Sequence, residues 1–202
     1  MPEVLYLTTN PGKAREARDI LIGQYGLNLQ VESPPFEIPE IQSDSCAKVA
    51  LFSARFAADR LGQPCLVSDT GLYLDCLGGL PGPYNAHFDR QIGVEKFLRL
   101  IQHEANRMAR LENCFACCEP GQEPVVFSGG STGSIAFEPR GNLGRWHELF
   151  YIPDGEERTL SELRQIDPGR ESQYWGGAIH EMGAWLRRSS NHKPLPEPQE
   201  GL

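Results

Sequence analysis

The chain has 202 residues, enough for a single domain with a sizeable core. Its 19 Lys and Arg against 27 Asp and Glu leave a formal charge of -8, which argues against a broad basic surface for duplex nucleic acid or membranes. No apolar run approaches the ~20 residues of a membrane span, and the opening MPEVLYLTTN lacks a charged-then-apolar leader pattern, so a cytoplasmic location is expected.

Residues 3–8 (EVLYLT) read as a short buried strand. Asn10-Pro11-Gly12 then starts a helix, with Asn10 as cap, Pro11 at the first helical position, and Ala17, Ile20 and Leu21 on the apolar face. A Pro-rich loop at 33–39 leads to a second helix near 45–61, where Ala47, Ala50, Leu51, Ala54, Ala57, Ala58 and Leu61 recur at three- and four-residue spacing. Cys65-Leu66-Val67 reads as a brief strand with Ser68-Asp69-Thr70-Gly71 at its carboxyl end, the place where ligands collect in open α/β sheets. Gly78–Pro83 (GGLPGP) is a shaped loop before a helix at about 90–104 that carries Ile92, Phe97, Leu98 and Ile101.

From 111 to 138 the pattern changes to three β-rich segments, NCFACCE, PVVFSG and STGSIAF, separated by Pro or Gly, which predict an antiparallel second lobe. Pro153-Asp154-Gly155 is a turn, 158–166 a short helix, and 173–187 a further helix with Ile179, Met182 and Leu186 on one side. Residues 189–202 are rich in Pro and charge and are expected to be a disordered tail, leaving 1–188 as the one folded unit.

Two constellations point to chemistry. Thr8-Thr9-Asn10-Pro11-Gly12-Lys13 places backbone N–H groups, hydroxyls and a lysine at a helix start, which suits a phosphate, although an ordinary capped helix with a solvated lysine has the same spacing. Glu40 and Asp69 are two carboxylates that, converging on one cleft, would hold Mg²⁺ and orient or deprotonate an attacking water. The cysteines at 46, 65, 76, 114, 117 and 118 include one C-x-x-C spacing, but no second pair completes four ligands, so they read as packing residues.

TTNPGK, PEIQ and above all SDTGLYLDCLGGLPGPY resemble the inosine triphosphate pyrophosphatase family. Gly133-Ser134-Ile135, Pro139-Arg140-Gly141 and Pro153-Asp154-Gly155 extend the resemblance in order and spacing, so that it covers roughly residues 3–187. It implies an α/β fold with an elongated mixed β-sheet, flanking helices and two lobes around a central cleft. It also implies a homodimer, Mg²⁺, and cleavage of a nucleoside triphosphate between its α- and β-phosphates. Carried over position by position, Lys13 and Asp69 would be catalytic, with Lys13 on the triphosphate; Glu40 and Asp69 would hold the metal; and Thr8, Asn10, Thr70 and Gly71 would shape the pocket.

The chain departs from the family where the base is read. Ser53 stands where the family has a lysine in its second helix, and Lys48, five positions earlier, lies about 140° away around an ideal helix. The family's base-stacking Phe-Gly-Tyr/Trp-Asp-Pro segment aligns with Arg145-Trp146-His147-Glu148-Leu149, its later Ser-His-Arg triplet with Gln173-Tyr174-Trp175, and an arginine or lysine shortly after its Pro-Gly-x-Tyr loop with or near His87. His87, Trp146, His147, Glu148, Tyr174 and Trp175 are therefore expected to line an altered base site, Trp146, Tyr174 and Trp175 by stacking, unless these three are packing residues. Inosine and xanthosine triphosphates are then not the preferred substrates. Two alternatives remain: a same-fold hydrolase of a specialised nucleotide pathway, and a nucleotide-binding protein with weak catalysis.

Overall fold

The computed structural model describes residues 4–175 and 177–191, without the side chains of 171, 172, 175, 190 and 191. β1 (Val4–Leu7) is buried at all four positions, Val4 and Tyr6 in one core and Leu5 and Leu7 in another, as a strand covered on both faces requires. α1 (Pro11–Ala17) starts at Asn10, whose Oδ1 accepts the N–H groups of Gly12 (2.9 Å) and Lys13 (3.2 Å), and it widens into a π-helical stretch at Arg18–Gln24. β2 (Leu29–Glu32) pairs parallel to β1. The sequence reading missed it, because only Leu29 of its four residues is buried and the apolar pattern is correspondingly faint. α2 (Cys46–Leu61) begins where Ser45 Oγ accepts the Lys48 N–H and ends at Gly62, which takes the left-handed conformation (φ 68°). Its Ala50, Ala54, Ala57 and Ala58 pack on Leu5, Leu7, Val67, Cys114 and Ala116 of the sheet.

β3 (Cys65–Leu74) corrects the expected three-residue strand: Ser68-Asp69-Thr70-Gly71 lies inside it and not in a loop at its end. Gly71 is there for closeness rather than for a turn, since a Cβ on it would stand 2.5 Å from the Tyr73 ring. After β4 (Pro81–Gly82) comes α3 (Asn85–Leu100), which starts and stops earlier than expected and is broken at Gly93 (φ 68°, ψ 175°). The three expected β segments are two long strands, β5 (Met108–Cys118) and β6 (Val125–Ile135), followed by β7 (Tyr151–Pro153). Gly130 continues β6 without a break, because a Cβ there would collide with the Leu111 carbonyl oxygen of β5. α4 (Leu160–Ile166) carries a capping box of Thr159 and Glu162. A 3₁₀ stretch at Arg170–Trp175 replaces the start of the last expected helix, and α5 (Ala178–Asn191) runs past the boundary set at 188; residues 192–202 of the expected tail lie outside the described residues.

The sheet order is β2-β1-β3-β5-β6-β7, with β4 added to β3; β2, β1 and β3 are parallel and the rest antiparallel. This is the expected mixed sheet with flanking helices. One lobe packs α1, α2 and α5 on its two faces, and the other gathers Leu72, Leu74, Phe97, Leu111, Phe150 and Leu160. Five of the six cysteines are buried, all six are free thiols, and burial pushes Cys65 up to about 11 and Cys117 up to about 12, the behaviour of small hydrophobes.

One feature of β3 positions the site. Its β5 edge is paired from Cys65 to Leu74, but its other edge meets β1 only at Cys65 and Leu66 and β4 only at Leu72 and Tyr73. Val67–Gly71 therefore border a gap between two strands, at the carboxyl end of β1.

Candidate active site

Lys13 fills the head of this gap. Its Nζ donates to the Ser68 carbonyl oxygen at 2.9 Å, an acceptor on the strand residue before Asp69. Burial pushes the Lys13 ammonium down from its usual range, and the Asp69 carboxylate opposes that shift. Burial likewise pushes Asp69 up, against the pull of Lys13, the Thr70 N–H and the Cys46 thiol, while the nearby Glu40 carboxylate adds to the rise. Asp69 Oδ2 is buried and, among the described residues, has no hydrogen-bond partner. Glu40 itself is exposed, on the loop that leads to α2.

Alternation along β3 sends Thr70 to the other face of the sheet from Asp69. Its hydroxyl donates to Asn113 Oδ1 (2.8 Å) and accepts from Arg145 Nη1 (3.4 Å). Gly71 is buried against Tyr73, whose hydroxyl accepts the Cys46 N–H at the start of α2 (3.2 Å). Thr8 donates its N–H to the Glu32 carbonyl, and its Oγ1 accepts the Asn10 N–H. The α1 donors expected to cradle a phosphate are thus partly taken by Asn10, and the Lys13 side chain turns to the Ser68 carbonyl.

Across the sheet, Thr70 registers with Asn113 and Gly129, and Asp69 with Cys114 and Ser128. Ser128 and Gly129 open into a cavity of about 580 Å³ lined also by Arg110, Glu112, Ser131 and Tyr174. The gap and the cavity lie about two strand spacings apart, roughly 10 Å. A second cavity of about 190 Å³ lies outside Thr8, Thr9 and Asn10, bordered by Arg18 and Glu32.

A family model matches residues 4–183 with the description Ham1 family. The chain belongs to the Ham1 family. Among its curated relatives is the dITP/XTP pyrophosphatase of Methanopyrus kandleri, 44% identical over 161 residues, 80% of this chain and 84% of that protein. The protein of the same name from Thermococcus kodakarensis is 35% identical over 91% of this chain and 97% of its own length. Among solved structures, a HAM1 protein from Coxiella burnetii superposes with a TM-score of 0.79 at 24% identity, covering 93% of this chain and all of that one, a likeness of fold. A nucleoside-triphosphatase / dITP/XTP pyrophosphatase from Mycobacterium abscessus gives 0.70 at 26% identity over 94% and 98% of the two chains.

In this Ham1-family chain the residues expected to read the base are placed unevenly. Trp146 is a core side chain: its ring packs edge-on against Phe97 (5.0 Å) and Phe150 (5.1 Å), and its Nε1 donates to Asn85 Oδ1 at 2.7 Å. His147 is buried beside it, with Nδ1 3.0 Å from Asn85 Nδ2, and burial holds its pKa well below the usual range, so the ring is neutral. Glu148, fully buried, pairs with Arg164 of α4 at 2.8 Å and faces Arg145 Nε at 3.9 Å. Tyr174 borders the large cavity, with its hydroxyl on Glu156. Trp175 has its backbone in the same 3₁₀ stretch, and its side chain lies outside the described residues. His87 is exposed in the first turn of α3.

Ser53 is half-buried on α2, and Lys48 is exposed at its start. A second cation beside the gap is Arg145, at the head of the segment aligned with the family's base-stacking residues. It is only 17% exposed, and its charge acts on Lys13, Tyr6, His147 and Glu148.

Proposed function

We propose that the chain hydrolyses a nucleoside triphosphate between its α- and β-phosphates, releasing the monophosphate and pyrophosphate in a Mg²⁺-dependent reaction, with a base preference shifted from that of its relatives. As a Ham1-family member it is a nucleoside triphosphate pyrophosphatase, a hydrolase acting on acid anhydrides. The observation that carries the finer reading is the meeting of Lys13 with Asp69 in the gap of β3, with the Glu40 carboxylate near enough to act on Asp69.

This donor set fits Mg²⁺. A hard cation takes one or two carboxylates and completes its shell with water and phosphate oxygens, and the buried, unpartnered Asp69 Oδ2 is an oxygen that needs such a partner. Asp69 and Glu40 would hold the ion, which when bound neutralises phosphate charge and polarises the anhydride. Lys13 supplies a cation to the triphosphate from the other side of the gap. The two carboxylates also offer acceptors that orient the attacking water. The 580 Å³ cavity across the sheet, with Tyr174 on its border, has the size to take a nucleoside.

The shifted base preference is supported by what has happened to the aligned segment: Trp146 is spent on the core and Glu148 on two arginines. A second reading, that dITP and XTP are the substrates, is favoured by the names of relatives 35–44% identical. A panel of ribo- and deoxyribonucleoside triphosphates, assayed with Mg²⁺, separates the two. The proposal predicts that a triphosphate other than those of inosine and xanthosine is the best substrate and that EDTA abolishes turnover. A clear kcat/KM preference for dITP or XTP returns the chain to its relatives' specificity. We assign the enzyme a homodimeric state on the family resemblance and keep the cytoplasmic location expected from the apolar pattern of the sequence; no described helix is long and apolar enough to cross a membrane.

A further inference from the structure

We infer that Arg145 is a substrate-binding residue of this site, taking oxygens of the phosphate chain together with Lys13. The inference rests on reading the gap as a triphosphate site, and it concerns a residue that lies in the segment aligned with base recognition.

Geometry comes first. Arg145 precedes the 3₁₀ turn Trp146–Leu149 in an extended conformation, and its Nη1 stands 3.4 Å from the hydroxyl of Thr70, the residue after Asp69. Because Thr70 gives its own proton to Asn113, that hydroxyl can only accept from Arg145, which fixes the guanidinium above the strand. The other end of the fork is steadied from below by Glu148, whose carboxylate is divided between Arg164 at 2.8 Å and Arg145 at 3.9 Å. Gly144 makes this possible: at φ 92°, it lets Glu148 fold back beneath Arg145, and any Cβ there would collide with the Glu148 carboxylate.

Charge comes second. Arg145 lowers the proton affinity of Lys13, so two cations sit within mutual reach on either side of Ser68–Thr70. Like charges held together in a half-buried place are relieved by an anion between them. The planar fork of arginine matches phosphate oxygens two at a time, which a lysine does not. Ser53 and the exposed Lys48 offer no cation of this kind, so Arg145 is the second positive group that the phosphate chain meets.

The test uses the full chain as wild type, Arg145→Gln and Arg145→Lys, with two readouts: steady-state kinetics on the best triphosphate with Mg²⁺, and calorimetric binding of inorganic tripolyphosphate with Mg²⁺. Arg145→Gln is expected to raise KM on the order of 10- to 100-fold with a much smaller change in kcat, and to weaken tripolyphosphate by a similar factor. Arg145→Lys, which keeps the charge and loses the fork, is expected to fall between. An unchanged KM, or a loss in kcat at unchanged KM, overturns the inference. So does weaker nucleotide binding with unchanged tripolyphosphate binding, which puts Arg145 on the base or sugar. If Arg145→Gln does not melt cooperatively, Arg145→Lys decides alone, and wild-type behaviour in both readouts overturns the assignment. A wild type that binds tripolyphosphate through Arg145 but turns over no nucleotide leaves this inference standing and removes the pyrophosphatase reading.

Discussion

At the scale of single residues, the site concentrates charge where the fold would otherwise avoid it. Asp69 is held by Cys46, the Thr70 N–H and the field of Lys13, yet burial still raises its pKa, so the fold prefers the acid protonated. A group whose folded pKa is raised gives stability that is complete below the unfolded carboxylate pKa and is lost as pH rises through the folded value. Ionising Asp69 is thus a cost to the fold. Asp69→Asn is expected to lower kcat/KM on the order of 10²- to 10³-fold while melting at or above the wild-type temperature. A variant that keeps its activity removes Asp69 from the chemistry, and one that loses activity by unfolding earlier makes it structural. The proposed roles of Lys13 and Asp69 are legible in the sequence because each sits in a short motif whose residue types suit phosphate and metal. That of Arg145 is not, because its meaning comes from Thr70, 75 positions away in the chain. Trp146 illustrates the converse, an aromatic packed on Phe97, 49 positions away and beyond the reach of any spacing rule.

At the scale of elements, the gap in β3 does the positioning. β1 stops at Leu7 while β3 continues to Leu74, and the five residues so uncovered carry Ser68, Asp69 and Thr70. The helices were readable where small apolar residues recur, as in α2, and where a cap marks the start, as at Asn10. Strands failed where glycine stands in them. Gly71 reads as the carboxyl end of a brief strand and Gly130 as a break between two β segments, but both allow close approach inside long strands, a requirement set by Tyr73 and by the Leu111 carbonyl of the neighbouring strand. Gly130→Ala is accordingly expected to destabilise the fold by about 1–3 kcal/mol, seen as a lower urea midpoint at unchanged slope. An unchanged midpoint would show that β5 and β6 part easily at this row, against the packing described.

At the scale of the whole molecule, an acidic chain binds a polyanion by local arrangement. The formal charge of -8 is offset locally, where Lys13 reaches the Ser68 carbonyl and Arg145 the Thr70 hydroxyl on the same stretch of β3. The mixed sheet and its two packed regions followed from the resemblance carried by SDTGLYLDCLGGLPGPY, and the family match over residues 4–183 agrees with it. The division of labour along the sheet was not legible. Strand register alone sets the proposed phosphate site at β3 beside a cavity opened by β5, β6 and Tyr174. The measurement that tests this account most directly is the identity of the phosphate products when purified protein meets its best triphosphate with Mg²⁺. Pyrophosphate and nucleoside monophosphate in equal amounts, with no diphosphate at any time, is the predicted result; orthophosphate with the diphosphate, or no product from any triphosphate, would contradict it.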